Sequence, residues 1–173
     1  MSSEDAATTG RAAEAARGGG VRVRPARAGD RDFILSLVPR LVEFGPPRWH
    51  DPARMSARDS EAIAEALASE SPEIAVFVAE DGAGNGLGFI HLNTAADYFT
   101  REKHGHVSDI VVARGGEGRG VGRVLMLAGE EWARSRGYKL IALGAFSENR
   151  RARRLYEQLG YEEDIVRYVK ELG

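Results

Sequence analysis

The chain has no cysteine, which excludes disulfides, thiolate metal sites and a cysteine nucleophile, so any thiol chemistry has to arrive with a cofactor. Its first stretch, Met1 to Gly20, holds no Leu, Ile, Val or aromatic side chain and ends in three glycines. Such a segment cannot bury enough apolar surface to offset the entropy of ordering it, and a disordered tail is expected there. Long hydrophobic runs are missing as well. None approaches the roughly 18–20 residues of a membrane span, and the N-terminus lacks the apolar region of a signal peptide; a cytoplasmic location and no membrane partner are expected. Nor is there an excess of one charge: 24 Lys and Arg face 26 Asp and Glu, a formal net charge of −2. That balance gives no overall attraction to nucleic acid, and no nucleic-acid partner is expected.

What is present suits one domain. A length of 173 residues with 43% hydrophobic content supports one sizeable core over residues 21–173 and is too short for two comfortable ones. Val21-Arg22-Val23-Arg24 alternates like a short strand that Pro25 ends. From Asp30 the apolar positions Phe33, Ile34, Leu37, Val38, Leu41 and Val42 recur at helical spacing, and Pro39 should bend or shorten that helix before Phe44-Gly45-Pro46-Pro47 stops it. A second helix is expected from Ser56 to Ser69, with Ser56 and Asp59 as a capping box and Ile63, Ala64 and Leu67 on its apolar face. Ile74 to Glu80 and Leu87 to Asn93 are β-rich runs joined by a Gly/Asp/Asn turn, a predicted antiparallel hairpin. His106 to Ala113 is a further strand. Helices are expected over Val121 to about Arg136, with Gly137 at its C′ position, and over Asn149 to Leu159, closed by Gly160. Between them Leu140 to Phe146 reads as a buried strand, and Tyr161 to Leu172 should contain a final one. The order, hairpin followed by crossovers, implies an α/β or α+β fold with a mixed sheet flanked by helices.

The segment Gly115-Gly116-Glu117-Gly118-Arg119-Gly120-Val121-Gly122-Arg123 joins a hydrophobic strand to an amphipathic helix. Glycines at 118, 120 and 122 let backbone approach a ligand closely, and the free amides of the helix's first turn favour an anion such as a pyrophosphate. Arg119 and Arg123 could add charge-assisted hydrogen bonds. The alternative is a tight strand-to-helix turn with solvated arginines. A Walker loop would end in Gly-Lys-Ser/Thr where this one has Gly122-Arg123-Val124, and the dinucleotide fingerprint lacks its third glycine. An NTPase and a nicotinamide enzyme are therefore both disfavoured.

Val111-Val112-Ala113 leading into Glu117-Gly118-Arg119-Gly120-Val121-Gly122-Arg123 resembles motif A of the GNAT superfamily of N-acetyltransferases, Q/R-x-x-G-x-G/A, with Glu117 in place of the usual Gln or Arg. Asn149 to Tyr161 independently resembles the family's N-x-x-A-x-x-L-Y-x-x-x-G-F/Y segment. The resemblance implies a GNAT-like acyl-CoA N-acyltransferase fold with a mixed, mostly antiparallel sheet. It implies acetyl-CoA as co-substrate, with Val111 and Val112 offering backbone groups to the pantetheine arm and one of their amides holding the oxyanion. The amides from Gly118 to Arg123 would hold the pyrophosphate, Asn149 would contact the pantetheine chain, and the Tyr156 hydroxyl would lie near the CoA sulfur as acid for the departing thiolate. Tyr156 can also be read as a packing residue. Arg150, Arg151, Arg153 and Arg154 read mainly as a solvated basic face, of which one or two reach CoA phosphates.

Direct transfer to an amine needs a base for the attacking ammonium. His106, Ser108 and Asp109 lie on or just before the strand that faces the acetyl group in the family, and His91 lies on the preceding strand. Asp109 leads as the candidate and His106 follows; the two should face opposite sides of an ideal strand unless a bulge intervenes. His104 and His106 as metal ligands are disfavoured, since no cysteine or carboxylate cluster accompanies them. Phe44, Trp49, Tyr98 and Phe99 either line an aromatic acceptor pocket or act as ordinary surface caps. The expected activity is acetylation of a small-molecule primary amine. A non-catalytic acetyl-CoA sensor and a protein N-terminal or lysine acetyltransferase are the alternatives. Homodimers are common in the family, but the residues do not reveal an assembly.

Overall fold

The structure, a computed structural model, describes Arg17, Gly18 and residues 20–173. The tail expected at the N-terminus lies outside the described residues over 1–16 and at 19, while Arg17–Gly18 forms a two-residue strand β1. The remaining strands are β2 (Val21–Pro25), β3 (Ile74–Glu80), β4 (Gly86–Ala96), β5 (Lys103–Val112) and β6 (Ile141–Leu143). The helices are α1 (Arg31–Leu37), α2 (Pro52–Ala68), α3 (Val121–Ser135) and α4 (Arg150–Gln158). All six strands form one sheet in sequence order. Every pairing is antiparallel except β5 with β6, the mixed topology that the element order implies.

Side-chain alternation sends successive strand residues to opposite faces, and both faces are covered. On one, Phe77, Ala79, Ile90, Leu92 and Val107 meet Val121, Val124, Leu125, Ala128 and Trp132 of α3. On the other, Val76, Val78, Phe89 and Val111 meet Ile34 and Leu37 of α1, Val38 beyond it, and Ile63 and Ala66 of α2. At the β2–β3 edge the buried Glu80 carboxylate is shared by Arg22 and by Arg24, whose Nε is 2.5 Å away; Arg24 also holds Asp30 at 2.6 Å.

Pro39 acts as expected: α1 stops at Leu37 and the chain tightens into a 3₁₀ turn over Val38–Val42. Three expectations are corrected. The second helix starts at Pro52, four residues before Ser56, because Asp51 caps it through a 3.0 Å bond from the Ala53 amide and proline fits the first turn. Asp59 is therefore an interior residue of α2 and not part of a capping box. The strand expected over Leu140 to Phe146 shrinks to three residues, because β5 pairs with it only at Gly105, His106 and Val107. No strand forms among residues 161–173: Ile165, Val166, Tyr168, Val169 and Leu172 do not alternate, so no sheet face could bury them together, and they are exposed. No helix among the described residues is long and apolar enough to cross a membrane.

Candidate active site

β5 is the spine of the site. Beyond Val107 it loses β6, so Ser108 to Val112 present an edge on which no β6 residue pairs. The strand then runs through a short turn at Arg114–Gly116 into the glycine loop. Gly118 and Gly120 both take left-handed backbone, at φ 73° and 76°, with open space where a Cβ would point. Gly120 is the N-cap of α3, which leaves the Val121, Gly122 and Arg123 amides without carbonyls four residues back inside the helix. Open space, converging donors and the positive end of the helix dipole together fit a diphosphate. Arg119 and Arg123 are exposed beside this cradle.

Glu117 does not point into the cradle. Its carboxylate lies 2.5 Å from Arg40 and 2.9 Å from Arg151, and these guanidiniums, Arg151 foremost, hold its carboxyl below the usual range. Arg40 is nearly buried and its Nε donates to the Val112 carbonyl at 3.1 Å. The Gln/Arg position of the motif is thus occupied by a clasp that ties the 38–42 turn and α4 to the loop. Arg40 carried no signal in the sequence, because its partner lies 77 residues away.

Further back along β5 the register shifts. His91 opposes Asp109 and Leu92 opposes Val107, so Ser108 is the extra residue of a β-bulge. The bulge resets the alternation: His106, opposite Asn93, and Asp109, opposite His91, share the face under α1 and α2. The His91 Nδ1 and an Asp109 oxygen are 2.8 Å apart, both side chains being largely buried, and the Ser108 hydroxyl donates to Asn93 at 2.7 Å. Burial, joined by the neighbouring His104 and His91, lowers the His106 pKa despite the opposing pull of Asp109. Asp59 of α2 is half-buried, and burial first and then the Asp109 charge raise its pKa. Asp59 also closes one side of a cleft of about 440 Å³ lined by Trp49, His50, Asp51, Arg54, Met55 and Arg58.

The other expected residues divide. Tyr156 lies on α4, partly buried against the α3-side core and 6.0 Å from the Tyr161 ring; burial raises its pKa. Asn149 caps α4 by accepting from the Ala152 amide at 3.2 Å, a structural use of one side-chain atom that leaves its Nδ2 available. Phe44 and Trp49 are partly exposed on the loop entering α2, which Gly45 lets close against Glu148, since a Cβ there would sit 2.6 Å from the Glu148 Cβ. Tyr98 and Phe99 are not brought to the site. They stack edge to face on the turn joining β4 to β5, at the opposite end of β5 from the glycine loop, and are more than 80% exposed.

The model of the family described as Acetyltransferase (GNAT) matches residues 40–161, spanning β3, β4, β5 and the glycine loop through to the end of α4. The chain belongs to the GNAT family. It is an N-acetyltransferase, and the uncharacterized N-acetyltransferase YhfO of Bacillus subtilis (strain 168) is 33% identical to it over 144 residues, 83% of this chain and 91% of that one. The GNAT fold recurs in solved structures. A GCN5-related N-acetyltransferase from Ralstonia eutropha JMP134 superposes with a TM-score of 0.71 at 21% identity, covering 89% of this chain and 100% of that one. The enzyme AAC(6')-Iy, in complex with the bisubstrate analog CoA-S-monomethyl-acetylneamine, gives a TM-score of 0.64 at 23% identity over 87% and 98% of the two chains.

Proposed function

We propose that this GNAT protein transfers the acetyl group of acetyl-CoA directly to a primary amine on a small molecule. The observation that carries the reading is the bulge at Ser108, which gathers His106 and Asp109 of β5 with His91 of β4 on one face of the sheet, on the strand that also leads into the anion cradle. Acetyl-CoA would supply an activated acetyl thioester and a thiol leaving group. The amides from Gly118 to Arg123 would hold its diphosphate, and the edge of β5 turned away from β4, at Val112 beside the β4-paired Val111, would hydrogen-bond its pantetheine arm. Asn149 would donate to the same arm through Nδ2.

His106 is the group suited to take the amine's proton. Its lowered pKa keeps it neutral, and so able to accept, at neutral pH. Asp109, fixed by His91, would orient the ammonium and stabilise the imidazolium once formed. Tyr156, whose hydroxyl burial keeps protonated, would donate to the departing sulfur. No covalent enzyme intermediate is needed, in keeping with a chain without cysteine. The cleft beside Trp49 has the dimensions of a small-molecule pocket, and the aminoglycoside analog bound by AAC(6')-Iy is consistent with such an acceptor.

Calorimetric titration with acetyl-CoA, combined with thiol release and mass detection of acetylated product across an amine panel, tests this. Saturable binding with turnover on at least one small amine is expected. Binding without turnover on any amine would replace the enzyme reading with that of an acetyl-CoA sensor, and turnover confined to peptides would move the acceptor to protein.

A further inference from the structure

Val112 faces Gly88 across the β4–β5 ladder, and the next amide, that of Ala113, donates to the Leu87 carbonyl at 2.8 Å. Antiparallel alternation therefore turns the N–H and C=O of Val112 away from β4, toward the edge that β6 does not reach. The carbonyl is already taken there: Arg40, its side chain only 11% exposed, donates to it through Nε at 3.1 Å. The rest of the guanidinium reaches Glu117 at 2.5 Å through one nitrogen and Glu43 at 3.2 Å through the other. One planar group thus grips the last residue of β5 and the residue that follows the Arg114–Gly116 turn. Gly116 packs the same turn onto β4, where a Cβ would sit 2.7 Å from the Leu87 carbonyl. As a counter-charge Arg40 is redundant, since Glu117 also has Arg151 at 2.9 Å and Glu43 also has Arg114 at 3.0 Å. What it adds is the link between the Val112 carbonyl and Glu117.

We propose that Arg40 is a positioning residue for acetyl-CoA, fixing the separation between the Val112 amide and the amides of Gly118 to Arg123 so that the arm and the diphosphate of one ligand are gripped together. The proposal rests on the reading that acetyl-CoA binds this edge and this cradle. Two grips held at the span of a single ligand act at a high effective concentration, and that gain is lost when one drifts, although each grip survives. With its carbonyl occupied, Val112 offers the edge its N–H, a donor that matches an amide carbonyl of the arm. An arginine that served stability alone would, on removal, weaken every ligand alike.

Arg40→Met keeps an apolar stem and strands neither carboxylate. Binding is measured for acetyl-CoA, for S-acetylpantetheine, which has the arm and no diphosphate, and for ADP, which has the diphosphate and no arm. The acetyl-CoA Kd should rise about tenfold or more, while those of the two fragments stay within about twofold. Equal losses for all three ligands, or no loss for any, overturn the proposal. Arg40→Lys keeps the charge but cannot reach Val112 and Glu117 at once, and it should lose binding as the methionine variant does; full rescue by lysine overturns the link. Without any ligand, hydrogen exchange at the Gly116 and Glu117 amides, which bond to Ala113 and Arg114, should quicken about tenfold or more in Arg40→Met. Leu125 and Ala128 in α3 should keep their wild-type protection. Unchanged exchange in the turn, or protection lost across α3 as well, overturns the positioning role. If the wild-type protein binds no acetyl-CoA, the functional reading falls and the proposal with it, whereas full-strength binding by Arg40→Met removes the proposal alone.

Discussion

His106 and Asp109 are three residues apart on β5 and yet share a face, because Ser108 is bulged out between them opposite the His91–Leu92 step. In a regular strand the two would point to opposite faces, one of them toward α3. The bulge is what turns a run of polar residues into a cluster.

The two residues should therefore separate by pH. Burial and the adjacent histidines lower the His106 pKa from 6.5, so the base form is lost only as pH falls through that depressed value. His106→Asn should reduce kcat/KM about 100-fold and flatten the acidic limb of its profile. Asp109→Asn should also slow the reaction but keep the limb. Rates measured with one aliphatic amine from pH 5 to 9 distinguish them, and unchanged profiles in both variants would remove the pair from the mechanism.

Tyr156 is raised in pKa by burial alone, so its hydroxyl stays protonated across the neutral range, as the proposed role requires. Tyr156→Phe should lower kcat by about 10- to 100-fold with little change in acetyl-CoA affinity. Equal losses in kcat and in calorimetric affinity would instead assign the ring to packing.

Glu117 places a carboxylate beside an anion cradle and occupies two guanidiniums. Glu117→Gln removes that charge and releases Arg151. Acetyl-CoA binding should tighten, by about two- to fivefold at low ionic strength, and the difference should shrink near 0.5 M salt as exposed charges are screened. Weaker binding at every salt concentration would show that the clasp shapes the cradle more than its charge disfavours the ligand.

Glu80 and Asp30 are held below their ordinary pKa values of 4.5 and 3.8: Arg22 and Arg24 outweigh the burial of Glu80, and Arg24 is the main cause for Asp30. A depressed folded-state pKa contributes stability above the unfolded value and loses it as pH falls through the folded one. Tm should therefore decline below about pH 4.5. Glu80→Ala, which leaves the largely buried Arg24 with Asp30 as its remaining carboxylate partner and returns the exposed Arg22 to solvent, should cost about 2 kcal/mol near neutrality and flatten part of that acid decline. Denaturant titrations at pH 4 and pH 7 measure both effects.

The parts legible in the sequence were those written locally. Gly120, Gly137 and Gly160 mark helix ends by positive φ, at 76°, 74° and 87°, and the strand-to-glycine-loop passage could be read without knowing what lay beside it. Pro39 announced its turn. What escaped depends on two segments at once. The Ser108 bulge belongs to the pairing of β4 with β5, and β6 was overestimated because its apolar run says nothing about where β5 diverges. Arg40 acquires meaning only beside Glu117 and Val112. Asp59 was misread for a nearer reason: Asp51-Pro52 starts the helix a turn earlier than Ser56, and an apparent capping residue became a half-buried carboxylate one turn before Ile63.

The unpaired edge of β5 has a consequence for how such a protein can change over time. Main-chain donors and acceptors along residues 108–112 are present whatever side chains the strand carries, so a grip built from them survives substitution. On the proposed function, the acceptor side would depend instead on the identities of a few residues on α2 and the bulge. Variation there would then retarget the protein to new amines while the handle for the acyl donor is inherited unchanged.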